Sequence, residues 1–324
     1  MAELRVGLVG GGMVAAHHLA GWGHVDAARV VALAEPDPTR REARARAHDL
    51  IGYDSLSHMI AAERLNAVDI VAPVDHHAAL VLEAVEAGLA VMCQKPLTPD
   101  VASADRLIAA LPAGARVMLH ENWRWRRPYR QLKAALASGE VGWPQRFDMR
   151  VESAGLLPDA DGALPALRRQ PFFATLERLI VFELLIHHLD VLEFLFGPVR
   201  ILGATLEHRC DHVVGEDRAE IRLRAGDVEG CLVGDFMVPG SPVVQDRLWI
   251  DGGTAPVIDD WSLHLPGKAP VVTDRAGGYQ DSYTRTISHF ADRIRTGTEF
   301  ETTVSLGRHL LDLVEHVYSA AKRN

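Results

Sequence analysis

Apolar residues in the first 120 positions fall into short, nearly unbroken runs at 4–9, 30–34, 67–74, 89–93 and 116–119. The segments between them, at 14–22, 77–87 and 101–111, space their apolar residues at threes and fours. Runs without polar alternation predict strands buried on both faces, and the helical segments predict the cover, so a parallel sheet with helices on either side is expected. The right-handed crossover rule makes it doubly wound. Past about residue 122 the rhythm changes. A helix is predicted over 128–137 and a strand over 145–152, followed at 153–173 by an unpatterned stretch with three prolines, which suits a lid or binding loop. Residues 178–196 predict a helix stopped by Gly197-Pro198. Strand candidates at 199–208, 218–224, 229–238, 246–251 and 255–265 are joined by Gly, Asp and Pro turns that favour antiparallel pairing. Two amphipathic helices, 283–296 and 304–321, close the chain.

Composition narrows the function. The 324 residues suggest about two domains, and 48% hydrophobic with 24% charged residues excludes a disordered chain. A formal net charge of −9 argues against nucleic-acid binding, which needs a basic face to displace counterions. No apolar stretch is long enough to span a bilayer, and the strand-like run beginning near Leu4 leaves no room for a signal peptide. Cys93, Cys210 and Cys231 are odd in number and widely separated, so neither a disulfide framework nor a CxxC metal site is expected, and a reducing, cytoplasmic compartment is. The arginines of 40–46 read as a solvated helix face.

A G-x-G-x-x-A pattern, Gly10, Gly12 and Ala15, follows the first strand and opens the first helix. Gly10 suits a tight turn, Gly12 lets backbone approach a pyrophosphate, and Ala15 is small enough for close helix–strand packing. The pyrophosphate would rest on the free N–H groups near Met13 and Val14. Glu35 ends the second strand, 20 residues after Ala15, where a carboxylate binds the adenosine ribose hydroxyls of NAD and repels the 2′-phosphate of NADP. Arg40 and Arg41 keep NADP open. The plain alternative is a glycine-rich turn and a solvated strand end.

Two further features carry candidate chemistry. Met92-Cys93-Gln94-Lys95-Pro96 ends the fourth parallel strand, so Lys95 belongs to the ligand crevice of such sheets, with Pro96 fixing the backbone, as a cis bond would. The spacing fits a surface lysine before a loop proline equally well. The 178–196 helix is apolar nearly all round and therefore buried. Its polar exceptions Glu183, His187 and Asp190, at i, i+4 and i+7, share one face, while His188 lies about 100° away. A carboxylate one turn from an imidazole can orient a general base, and a satisfied core histidine explains the stripe as well.

The combination resembles the glucose–fructose oxidoreductase/inositol dehydrogenase (Gfo/Idh/MocA) family over nearly the whole chain. The family's T-P-N-x-x-H stretch reads Ala72-Pro73-Val74-Asp75-His76-His77 here, and its E-K-P reads Gln94-Lys95-Pro96. Its N-x-R-F-x-P segment is similar to Asn122-Trp123-Arg124-Trp125-Arg126-Arg127-Pro128, with one extra residue. Its D-x-G-x-H-x-x-D motif becomes Glu183-Leu184-Leu185-Ile186-His187-His188-Leu189-Asp190. Gln94 with His120-Glu121-Asn122-Trp123-Arg124-Trp125 is similar to the branch containing D-apiose dehydrogenases.

The resemblance implies an α/β Rossmann domain at 1–122 that binds NAD, and a substrate-binding and oligomerisation domain at 123–324 with an open, mostly antiparallel sheet. It implies an NAD-dependent oxidoreductase of a sugar, polyol or sugar-acid hydroxyl or lactol, in a homodimer or homotetramer. Cofactor contacts would come from Gly10, Gly12, Met13, Val14, Glu35, Pro73, His77, Gln94 and Asn122. Lys95, His187 and Glu183 would be catalytic, and Arg124 would join them in binding substrate, with no metal. Lys95 and His187 exchange the base and electrophile roles freely at this level. A non-catalytic NAD-dependent regulator and an NAD-using glycosidase are the alternatives on the same fold.

Overall fold

The apolar runs at the start of the chain form strands β1 (Leu4–Val9), β2 (Ala28–Ala34), β4 (Ala67–Ile70), β5 (Ala90–Gln94) and β6 (Val117–His120), with a short β3 (Ile51–Tyr53) that had no apolar run to announce it. The structure, a computed structural model, describes residues 3–253, 255 and 257–322. Helices α1 (Ala15–Trp22), α2 (Pro38–His48), α3 (Leu56–Ala62), α4 (His77–Glu86) and α5 (Val101–Ala110) alternate with the strands. The sheet is parallel throughout, in the order β3-β2-β1-β4-β5-β6. Chain order reverses between β1 and β4, which puts the ligand crevice of a doubly wound sheet beside the loop after β1.

One face of this sheet is a continuous apolar layer. Val6, Leu8, Ala67, Ala90, Met92 and Met118 lie under Leu19 and Trp22 of α1 and under Ile287, Phe290 and Ala291. These last belong to α9 (Arg275–Thr296). Burying a large apolar side chain contributes about 1.5–3 kcal/mol, so the layer alone explains why residues far apart in sequence join one core. The first compact unit therefore comprises Met1–Trp125 together with Tyr279–Leu311. The sequence placed a single boundary at 122/123; the later segment joins the first unit because its apolar face completes that layer. Thr302 also covers the β6 edge, accepting the Leu119 N–H at 3.0 Å and donating its hydroxyl to the Leu119 carbonyl at 2.6 Å.

The second unit comprises Arg126–Gly278 and Asp312–Asn324. It contains α6 (Arg127–Ala137), β7 (Arg146–Glu152), a short α7 (Pro165–Arg169), α8 (Ile186–Phe196), and the strands β8 (Val199–Glu207), β9 (Arg218–Ala225), β10 (Val228–Asp235), β11 (Gln245–Ile250), β12 (Ile258–Asp259), β13 (Ser262–Leu263) and β14 (Val271–Val272). The order is β14-β13-β12-β11-β7-β10-β9-β8, antiparallel except for the β7–β10 pair. Strand β7 shows the alternation of a one-sided sheet: Phe147, Met149 and Val151 are buried, while Arg146 and Arg150 are exposed. The final helix, α10 (Val304–Ala321), contributes residues to both units.

Three expectations change. The strand expected at 255–265 is two short strands, β12 and β13, and its Pro256 lies outside the described residues. The helix expected from 283 begins at Arg275. The helix expected over 178–196 begins at Ile180, and its first stretch, Ile180–Leu185, is wound as a π-helix before α8 takes over. Glu183 thus sits in a wider turn than His187, which alters the single α-helical face that their spacing implied.

Candidate active site

The loop after β1 has the geometry of a phosphate cradle. Gly10 has φ +103°, its N–H donates to the Ala34 carbonyl at 2.8 Å, and a Cβ there would lie 2.9 Å from the Val71–Ala72 backbone. Only glycine fits that left-handed, close-packed position. At Gly12 a Cβ would meet nothing within 4 Å, so this side of the loop is open. No side chain caps the N-terminus of α1 just beyond; the Ala15, Ala16 and His17 N–H groups turn back onto the Gly12, Met13 and Val14 carbonyls at 3.0–3.4 Å, so an anion would rest on the loop N–H groups ahead of them. Met13 is exposed, and Val14 is the residue from which α1 starts.

Glu35 is buried at the end of β2. Its Oε2 accepts the Gly11 N–H at 2.8 Å and its Oε1 accepts the Asp37 N–H at 3.0 Å. A carboxylate has about four acceptor sites, so capacity remains for ribose hydroxyls. The arginines of α2 do more than face solvent. Arg44 donates to the Gly11 and Gly12 carbonyls at 3.0–3.3 Å, Arg41 donates to the Glu35 and Pro36 carbonyls, and Arg40 lies 3.5 Å from Glu35 Oε1. The open cradle, the uncapped helix end and the buried carboxylate together fit a dinucleotide.

At the end of β5, the Lys95–Pro96 peptide is cis. Gln94 is paired in register with His120 of β6. Its Oε1 accepts the Lys95 N–H at 3.1 Å, and its Nε2 lies 2.8 Å from His18 Nε2 and 3.0 Å from His120 Nδ1. His18 Nδ1 lies 2.7 Å from Asp69 Oδ2, which also accepts the Trp22 indole N–H at 2.8 Å. His18, Asp69 and His120 are fully buried. The sequence reading passed over His18 and Asp69 and named His120 only within the segment similar to D-apiose dehydrogenases. A charged residue inside a fully apolar parallel strand, Asp69, was the signal that a buried partner must exist.

Pro73 precedes the turn into α4. His77, which opens α4, has Nδ1 2.9 Å from the Pro96 carbonyl and Nε2 2.9 Å from the Ala72 carbonyl, so it staples two loops. Burial holds its pKa below the ordinary imidazole value, against the pull of those carbonyls. Asn122 donates to Ser282 Oγ at 2.9 Å, and Arg124, also buried, lies 3.7 Å from Glu301 Oε1.

In the second unit, His187 and Asp190 of α8 are buried and Glu183 half-buried. His188 turns into the core. Its Nδ1 lies 3.1 Å from the Leu184 carbonyl, and its Nε2 lies 3.4 Å from Asp246 Oδ2. The same oxygen accepts the Tyr129 hydroxyl at 2.8 Å and pairs with Arg126. Of the two adjacent histidines, His188 is therefore structural.

Residues 4–121 match the family described as "Oxidoreductase family, NAD-binding Rossmann fold", and residues 129–255 match its C-terminal domain. The chain belongs to the Gfo/Idh/MocA family. A D-apiose dehydrogenase from Paraburkholderia graminis is 37% identical to it, with 97% of this chain and 87% of that protein covered. An inositol 2-dehydrogenase from Saccharopolyspora erythraea is 27% identical over 91% of this chain and 86% of its own. Among solved structures, an oxidoreductase from Agrobacterium radiobacter in complex with NAD+, L-tartaric acid and magnesium has a TM-score of 0.84 and 26% identity, covering 99% of this chain and 97% of that one. As a Gfo/Idh/MocA protein the chain is a nicotinamide-dependent oxidoreductase acting on CH–OH groups, with the Rossmann sheet and the mostly antiparallel second sheet expected of it. Among the described residues no helix is long and apolar enough to cross a membrane.

Proposed function

We propose that the protein is an NAD-dependent dehydrogenase that oxidises a hydroxyl or lactol of a sugar, polyol or sugar acid. The observation that carries this reading is the tie between Lys95 and the dinucleotide loop. Lys95 leaves the C-terminal end of β5, and its backbone is joined through Gln94 to His18 on the helix that the loop opens. The relatives named for D-apiose and inositol support the substrate class.

Bound NAD supplies the hydride acceptor. The chain's own residues must remove the hydroxyl proton and stabilise the negative charge that grows on that oxygen. In this reading His187 takes the proton, with Glu183 orienting its ring or binding a neighbouring hydroxyl. Lys95 stabilises the developing alkoxide as a preorganised cation. Asn122 and Arg124 serve the nicotinamide and substrate ends. Production of NADH from a panel of aldoses, polyols and sugar acids tests the proposal. Glycoside cleavage without net NADH would replace it with the glycosidase reading, and no turnover on any member with a regulator.

NAD rather than NADP is favoured by Glu35, whose buried carboxylate would face a 2′-phosphate. The Arg41 guanidinium is occupied by backbone carbonyls, and Arg40 is held near Glu35 itself. Glu35→Ala should weaken NAD binding and raise the NADP-to-NAD affinity ratio by about 10-fold or more, because like-charge contacts cost several kcal/mol. Titration of both cofactors measures it. The ratio separates a ribose contact from loop damage, which would weaken both cofactors alike.

An ordinary imidazole titrates near pH 6.5, and the base must be neutral to act, so activity should rise with pH through that range. His187→Ala should remove this rise from the kcat profile. An unchanged profile would make Lys95 the base. The three free thiols suit the cytoplasm, and a homo-oligomer is part of the proposal.

A further inference from the structure

We infer that Gln94 is a positioning residue whose side-chain amide locks His18 and His120 as neutral rings of fixed tautomer while it anchors the peptide of Lys95. The inference starts from one donor that cannot be anything else. The Lys95 backbone N–H can only donate, and it faces Gln94 Oε1 at 3.1 Å. That fixes which way round the amide lies, because the reverse would set N–H against N–H. The Gln94 NH2 group is therefore the one between the two imidazoles, 2.8 Å from His18 Nε2 and 3.0 Å from His120 Nδ1.

An amide NH2 carries two hydrogens and has no acceptor capacity. Each ring nitrogen facing it must be bare. His18 then carries its proton on Nδ1, which donates to Asp69 Oδ2 at 2.7 Å, and His120 carries its proton on Nε2. Either ring as imidazolium would lose its bond to Gln94, and both rings are fully buried.

The surrounding elements leave this assignment intact. Strand β4 contributes Asp69, and α1 contributes the Trp22 indole, which also donates to Asp69. Helix α9 contributes Tyr283, whose ring centroid lies 5.4 Å from His18 and 5.1 Å from His120 and whose hydroxyl pairs with Tyr279 at 3.1 Å. Burial, then Tyr279 and the Glu121 charge, hold the Tyr283 hydroxyl in its neutral form. Asp69 and Glu121 are thus the charged groups that these contacts bring to the cluster. With both imidazoles neutral, neither ring adds a positive charge to the network that anchors the Lys95 peptide. A glutamate at 94 would reverse this: a carboxylate only accepts, so it would draw a proton onto one of the two rings.

The consequence for turnover rests on the proposed role of Lys95; the tautomers do not. Long-range 1H–15N correlation spectra of the histidine-labelled full chain read them directly, with His18→Gln and His120→Gln identifying the signals. Between about pH 5.5 and 8.5, where an ordinary histidine titrates, His18 should stay in the Nδ1–H form and His120 in the Nε2–H form. Titration of either ring, or the opposite tautomer, overturns the inference. In Gln94→Glu a ring nitrogen facing the new carboxylate should carry a proton at neutral pH, as a doubly protonated His18 or as the Nδ1–H form of His120, and kcat should fall roughly 10- to 100-fold, as for a displaced reacting group, with KM for the alcohol changed far less. Rings that keep both native tautomers in that variant overturn the lock. A changed protonation pattern with unchanged turnover overturns the positioning role. Absence of NADH from every substrate, with the native tautomers as assigned, would instead count against the dehydrogenase reading alone.

Discussion

Lys95→Ala should lower kcat by about two orders of magnitude or more, the range found when one preorganised donor to a developing oxyanion is removed. The reason is the growth of charge during the reaction. A neutral hydroxyl gains little from an ammonium; an alkoxide gains a great deal, so the loss falls on the transition state more than on substrate binding. The variant should therefore lose kcat and kcat/KM by similar factors while KM stays near its native value. NAD affinity, which the proposal assigns to the glycine loop and Glu35, should hold. Lys95→Arg should restore only part of the rate. A planar guanidinium keeps the charge but offers a rigid fork where a compact point charge is required. Steady-state kinetics on the best substrate from the sugar and polyol panel decides the matter, and near-normal turnover in Lys95→Ala would remove this residue from the chemistry.

What the chain disclosed in advance follows from how local each signal is. The parallel sheet was legible because strands such as β1 and β5 are apolar at every position, the mark of burial on both faces. The cradle was legible because Gly10, Gly12 and Ala15 act within one turn of chain. The π-wound stretch at Ile180–Leu185 was not, since a segment apolar on all sides carries no periodicity from which the winding could be read. Helix α9 runs through Gly277-Gly278, ahead of the start expected at 283. A Cβ at Gly278 would lie 2.5 Å from the Trp261 ring, so close packing explains that glycine. Long-range partners were the least visible. Nothing near Gln94 in sequence announces His18 or His120, and nothing near Arg44 announces that it clamps Gly11 and Gly12. Such pairings are made by the sheet order, which brings α1 beside β5 and α2 beside the first loop.

Asp246→Asn should destabilise the protein by about 3–5 kcal/mol, the cost of leaving a buried charge without its partner. Asp246 and Arg126 are both almost completely buried, and the carboxylate also accepts from Tyr129 at 2.8 Å and faces His188 at 3.4 Å. Burial alone would push the Asp246 pKa up. The charges of Arg126 and then His188 overcome it and hold the carboxyl well below the usual carboxylate range. An asparagine keeps the shape but leaves the Arg126 guanidinium with a neutral amide, the Trp261 ring 3.7 Å away and Asp260 at 3.6 Å as its compensation. A drop in Tm on the order of 10 °C follows at neutral pH. The sign of the pH dependence follows from the depressed folded value. The contribution of Asp246 is fully present above the unfolded carboxylate pKa, near pH 4, and is lost as pH falls below it. The native protein should therefore lose part of its Tm on acidification that Asp246→Asn has already lost, so the gap between the two should narrow as pH drops. Replacing the pair together, Asp246→Leu with Arg126→Met, should cost less than Asp246→Asn, since the Arg126 charge is not stranded. Calorimetry on the three proteins measures this. A single variant within about 1 kcal/mol of native, or a gap that widens in acid, would show that this buried cluster does not hold the second unit together.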